Sequence, residues 1–163
     1  HRISWPIRAL VTNKRGRKPA HVVEVFLEGI EGDRSDSNTR IPKYLPIRIP
    51  WAHSRVSDSA LEASTCSRIV GGCKQLLDLG TLEFRLTSMD GALIEETCLT
   101  PHLLNIHIAA NVGIDLPSIG TGDFKLRFLI ASEGSSNRVS TTVSIKKRKL
   151  EPDARFSDYI EFS

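Results

Sequence analysis

The sequence predicts an all-β domain built as an antiparallel sandwich, and three observations carry that expectation. Apolar and polar residues alternate with a period of two over most of the chain, as a half-buried strand requires. Gly, Pro, Asn, Asp and Ser recur at short spacing between those stretches, which is the punctuation of an all-β chain. No stretch of ten or more residues sets its apolar positions at helical spacing.

Residues 7–27 read as two strands around a basic turn. The first arm sets Ile7, Ala9 and Val11 against Arg8, Leu10 and Thr12, and the second sets Val23, Val25 and Leu27 against Val22, Glu24 and Phe26. Each arm therefore has one strongly apolar face. Asn13, Gly16 and Pro19 punctuate the link, where a tight reversal favours residues that tolerate positive φ. The expectation is a hairpin. The polar cluster at 29–40 has too few apolar residues to bury itself and is expected to loop at the surface.

Segment 41–51 carries prolines at 42, 46 and 50. It lacks the amide donors of a central strand and is expected as an edge strand or an extended strap over the sandwich. Leu45, Ile47, Ile49 and Trp51 alternate for one buried face, with Trp51 as a core plug. Residues 53–67 are small and polar and read as loop, with at most one helical turn at 57–62.

A short strand, a turn at Gly71-Gly72 and a second strand follow, the last running on to Thr87 with Leu82, Phe84 and Leu86 opposed to Thr81, Glu83, Arg85 and Thr87. Residues 88–91 turn the chain, and weaker apolar runs occupy 92–99 and 103–109. In the second half, Phe124, Leu126, Phe128 and Ile130 alternate with Lys125 and Arg127. Residues 133–138 reverse the chain, and the β-branched run 139–145 returns. Periodicity is lost at 146–158, and 159–162 reads as a last short strand or a fraying end.

With 163 residues the chain fits one domain, 1–163, with 29–67 as a loop-rich insertion and 146–163 as a tail. Strand-like sequence begins at once and without Met, as expected for a piece of a longer polypeptide. Cys66, Cys73 and Cys98 are an odd number at spacings that suit neither a disulfide framework nor a Cys-x-x-Cys metal site. Reduced thiols in a cytoplasmic protein are the expectation. No apolar run approaches a membrane span, and any membrane tether would lie in sequence outside this segment.

The phrase Val11-Thr-Asn-x-x-Gly-x-x-x-Ala20, followed by Val22, Val25 and Leu27, resembles the Val-x-Asn-x-Gly-x-x-x-Ala signature of the immunoglobulin-like, adhesion-related (CARDB-like) domains of bacteria and archaea. Gly122-Asp-Phe-Lys-Leu-Arg-Phe is similar to the penultimate strand of such domains, where Gly-x-Tyr/Phe-x-Leu follows a turn. The resemblance implies an immunoglobulin-like antiparallel β-sandwich, here with a long loop insertion. It also implies a non-catalytic module, appended to enzymes or membrane segments, that presents surfaces to proteins or glycans.

The candidate chemistry is sparse. His102 and His107, with His53, Asp115 and Asp123, do not have the spacing of a recognised zinc motif, so surface histidines and no metal are expected. There is no Gly-x-Ser-x-Gly elbow, and the serines cluster where turns explain them. Gly71-Gly72 and Gly120-x-Gly122 precede strands rather than a helix, so they suit tight turns at hairpin ends and not phosphate binding.

The formal charge of +3 is spread over the chain except at 146–149 and at Lys14, Arg15, Arg17 and Lys18. That basic turn is the candidate binding site. It could meet phosphates of an anionic membrane surface, or merely keep an edge soluble. No aromatics surround it to stack bases, so no specific nucleic acid is expected. The functional expectation is a non-enzymatic, monomeric interaction or sensory module of a larger bacterial or archaeal protein, with a protein partner and no cofactor. The alternative is a carbohydrate-binding or accessory domain attached to an enzyme, which would need exposed aromatics. Trp5 and Trp51 instead sit in apolar, alternating contexts.

Overall fold

The alternating segments are strands, and they sort into two antiparallel sheets. The computed structural model describes residues 3–32, 45–52, 65–89, 92–101, 119–146, 153 and 155–163, with the backbone alone at 3–4, 83–89 and 92–101. The strands are β1 (Ile3–Thr12), β2 (Ala20–Gly32), β3 (Ile47–Arg48), β4 (Cys66–Ile69), β5 (Lys74–Met89), β6 (Ala92–Pro101), β7 (Gly122–Ser132), β8 (Ser135–Ile145) and β9 (Ile160–Phe162). One sheet has the order β1-β5-β6. The other runs β3-β2-β7-β8-β9, with β4 also paired to β2. Among the described residues no helix is long and apolar enough to cross a membrane.

The period of two decides which side chains go inside. Val23, Val25 and Leu27 of β2, Phe124, Leu126 and Phe128 of β7, and Val143 and Ile145 of β8 face Ile7 of β1 and Leu77 and Leu82 of β5 in one continuous core. Each such side chain withdrawn from water contributes about 1.5–3 kcal/mol before conformational entropy is set against it. The 146–163 segment also contributes to this core. Tyr159 and Ile160 are buried, and β9 pairs with 143–145 of β8. At the same end Trp5 lies edge-on to Tyr159, with ring centroids 5.8 Å apart.

The expected hairpin at 7–27 does not form. β1 pairs with β5 and β2 pairs with β7, so the 13–19 link carries the chain from one sheet to the other. Alternation marks the apolar face of a strand and is silent about its neighbour. The Gly71-Gly72 turn crosses in the same way, since β4 belongs to β2 and β5 to β1. The two crossings lie against each other. The Asn13 amide donates to the Cys73 carbonyl at 3.1 Å, and the Gly72 amide donates to the Asn13 carbonyl at 2.8 Å. Gly71 has no Cβ to collide with the carbonyl of Arg17.

Two boundaries also move. β2 runs on to Gly32, so the start of the expected insertion is strand. The reversal expected over 133–138 is only the turn Glu133-Gly134, with Gly134 at φ 76°. Ser135–Arg138 belong to β8 and pair with 129–132. Polar residues are tolerated there because that part of β8 is exposed. The run at 103–109 and the whole of 33–44 and 53–64 lie outside the described residues.

The strap behaves as its prolines require. Ile47 and Arg48 pair with the outer edge of β2, and the Ile49 amide donates to the Val25 carbonyl at 2.9 Å. The chain then changes sheets. The Asp78 amide donates to the Pro50 carbonyl and the Ala52 amide to the Leu76 carbonyl, both at 2.9 Å, and Trp51 bridges Leu77. Trp51 is 1% exposed, and its indole N–H donates to the Val23 carbonyl at 3.3 Å.

Two stability changes follow. Trp51→Ala should lower unfolding stability by about 3–5 kcal/mol through the cavity it opens, as measured by urea denaturation. Val22 is β-branched, 50% exposed and held at φ 52°. Asn tolerates that left-handed geometry, so Val22→Asn should raise stability by about 1 kcal/mol in the same assay.

Candidate interaction site: an open groove and a basic turn

A strand has two edges, and β5 uses one for β1 and the other for the strap and β6, while β2 uses one for β7 and the other for β3 and β4. The strap therefore joins the sheets along one margin. On the opposite margin the joining is incomplete. No strand among the described residues pairs with the outer edge of β1. β9 covers β8 at 143–145, and Ser163 exchanges backbone hydrogen bonds of 2.8 and 2.9 Å with Thr142. Among the described residues pairing stops there, and β8 continues towards Ser135 with no strand on its outer edge.

Between these two bare edges is a groove of about 490 Å³. Its floor includes Leu77, Phe128 and Ile130, one wall is the 7–12 run of β1, and the other is Val139 to Thr141 with Phe162. The lining is mostly apolar because these strands turn their core faces towards it. Leu10, Val139 and Phe162 remain 59%, 42% and 37% exposed on its rim. Beside the groove, register sets Leu10 opposite Leu76, which is 42% exposed on the outer face. Apolar side chains left in water next to unpaired backbone mark a surface suited to another strand.

The basic turn begins where this wall ends. Asn13 holds it in shape. Its side-chain amide donates to the Lys18 carbonyl at 2.9 Å and to the Ile69 carbonyl at 3.0 Å, while the Arg17 amide donates to the Lys14 carbonyl at 3.2 Å. Lys14, Arg15, Arg17 and Lys18 all project into solvent, and none is in an ion pair among the described residues. Pairing adds two cations that sequence reading could not place there: Lys74 opposite Thr12 and Arg68 opposite His21.

Some charge elsewhere is matched, while Arg8 and Lys125 are exposed and in no ion pair among the described residues. On the outer face of the second sheet Glu24, Glu28 and Glu31 meet Arg48, Arg138 and Arg127 at 3.6, 3.0 and 3.1 Å. Lys146 of the second basic cluster lies 3.5 Å from Glu161, and the rest of that cluster lies outside the described residues.

Most of the other candidates fall outside the described residues. Among the described residues no three His, Cys, Asp or Glu side chains gather as metal ligands. Asp123 is exposed and accepts the Ser144 hydroxyl, while His53, His102, His107 and Asp115 lie outside the described residues. Cys66 is buried and Cys73 exposed, and both are free thiols.

A scan against protein-family models finds no match, and searches of curated proteins and of solved structures find none either.

The groove was hidden in the sequence because its walls come from strands far apart in the chain. Its one legible trace was the position of Leu10 on the polar face of β1.

Asn13→Ala should remove two side-chain hydrogen bonds and lower stability by about 1–2 kcal/mol. Amide exchange should speed up at 14–18 before it does in β7.

Proposed function

We propose that this chain is a non-enzymatic, immunoglobulin-like sandwich module of a larger bacterial or archaeal protein, and that it binds another protein by accepting an extended segment along β1. The observation that carries this reading is the bare edge of β1 running beside an apolar groove. An added strand would satisfy the backbone donors and acceptors of that edge, and every second side chain would enter the groove. Main-chain hydrogen bonds supply affinity in such complexes, and the alternate pockets supply selectivity.

A glycan platform would ask for exposed flat aromatics. Trp51 is enclosed, and Trp5 is partly buried against Tyr159 and Phe156. Both observations favour the protein-partner reading over the carbohydrate-binding one.

The test is hydrogen–deuterium exchange of the whole chain with and without the neutral peptide acetyl-Thr-Val-Thr-Val-Thr-Val-amide. Amides of 7–12 should exchange more slowly when peptide is present. Val139 is half in solvent on the groove wall, so Val139→Arg should fold normally yet weaken binding by about tenfold or more. Unchanged exchange along β1 at saturating peptide would remove the reading.

A further inference from the structure

The strand-accepting reading leaves the chemistry of the partner open, and the distribution of charge around the groove narrows it. We infer that the groove takes an extended segment running antiparallel to β1, apolar at alternate positions, with acidic residues at its N-terminal end lying against Lys14, Arg15, Arg17 and Lys18. This rests on the strand-accepting reading and specifies its partner.

Length comes first. The groove follows β1 from Ile7 to Thr12, and six residues of antiparallel strand extend about 20 Å. Side-chain pattern comes second. Inward positions of an added strand would meet Phe128, Ile130 and Val139. An outward position would lie beside Leu10 and is favoured as apolar too, because it would cover a side chain that is 59% exposed.

Direction follows from the sheet. Every strand pairing among the described residues is antiparallel, and β1 runs towards the basic turn. An antiparallel partner therefore brings its N-terminal end to that turn.

Charge then distinguishes the two ends. The turn end carries four exposed cations held in place by Asn13, with Lys74 and Arg68 in register nearby. At the other end of the groove Arg8 is one exposed cation against those four, and beyond it Trp5 of β1 lies among the Tyr159 and Phe156 rings. An acidic N-terminal end is matched to this polarity, and a basic one is repelled. A second copy of this chain suits the groove poorly, since neither bare edge, β1 nor the 135–140 part of β8, carries an acidic residue.

The experiment compares two fluorescent peptides of identical composition, acetyl-Asp-Asp-Val-Thr-Val-Thr-Val-Thr-amide and its reversed sequence, by anisotropy against the whole chain at low and high salt. The first should bind about tenfold tighter at low salt, and the advantage should shrink at high salt. In the variant Lys14→Glu with Lys18→Glu, whose sites lie outside the core, the two peptides should bind alike or in reversed order.

Equal binding of both peptides to the unmodified chain would overturn the assignment of charge and direction while leaving strand acceptance standing. Binding of neither, with exchange of 7–12 unmoved by the neutral peptide, would overturn both. Native mass spectrometry showing a dimer whose β1 amides are protected would assign the edge to a second copy. Turn-dependent sedimentation with phosphatidylserine vesicles, without a peptide preference, would assign the cations to a lipid surface. Either result would displace the acidic segment.

Discussion

Trp51 joins the two sheets, and the open side of the molecule is the consequence of where that joining is done. Its backbone lies on β5 in one sheet, while its indole donates to a carbonyl of β2 in the other. Two residues earlier the same strap donates from Ile49 to Val25. A buried indole N–H without an acceptor would be costly, so the packing that fills the core also sets how β2 and β5 stand relative to each other. The prolines of the strap fit this role. Pro50 has no amide to offer a ladder, and its carbonyl serves as the acceptor from Asp78.

One margin is therefore bridged by a crossing segment, and the other is left to β1 and β8. Sheets usually protect such edges with charge, proline, bulges or a covering segment. The β1–β5 ladder has a bulge at Leu79 of β5, opposite Ile7/Arg8, and β1 has Pro6 near its start, yet the stretch from Ala9 to Thr12 has neither and carries Leu10 outward. The carboxylates of β2 are matched to arginines on the far face of the second sheet. Exposed pairs of this kind stabilise little, but they leave the 14–18 turn as a local excess of positive charge at the end of an apolar groove. Apolar surface, bare backbone and charge thus meet at one margin, whereas at the other the strap joins β2 to β5.

Much of the strand content was legible because burial on one face imposes alternation. Ile7, Val23, Val25, Leu27, Phe124, Leu126 and Phe128 face the core as their spacing requires, and Trp51 is the plug that its context implied. The 14–18 turn was legible as an exposed basic loop. Its rigidity was not, because that depends on Asn13 reaching Ile69, 56 residues away. Ser135 to Arg138 looked like a turn by composition and became strand because β7 lies beside them in register. Tyr159 looked like part of a tail and is fully buried, since a single large side chain carries no period to read.

The sequence by itself determined that this is an all-β chain, which face of most strands is apolar, and where the chain turns, because those properties reside in a few neighbouring residues. Tertiary structure alone decided that the 13–19 and 70–73 links cross between sheets instead of closing hairpins, and that the strap sews one margin. It alone brought β1, β7, β8 and β9 together around a groove. Strand partnership is a matter of contacts between residues distant in the chain, and alternation of period two is the same whichever strand lies alongside.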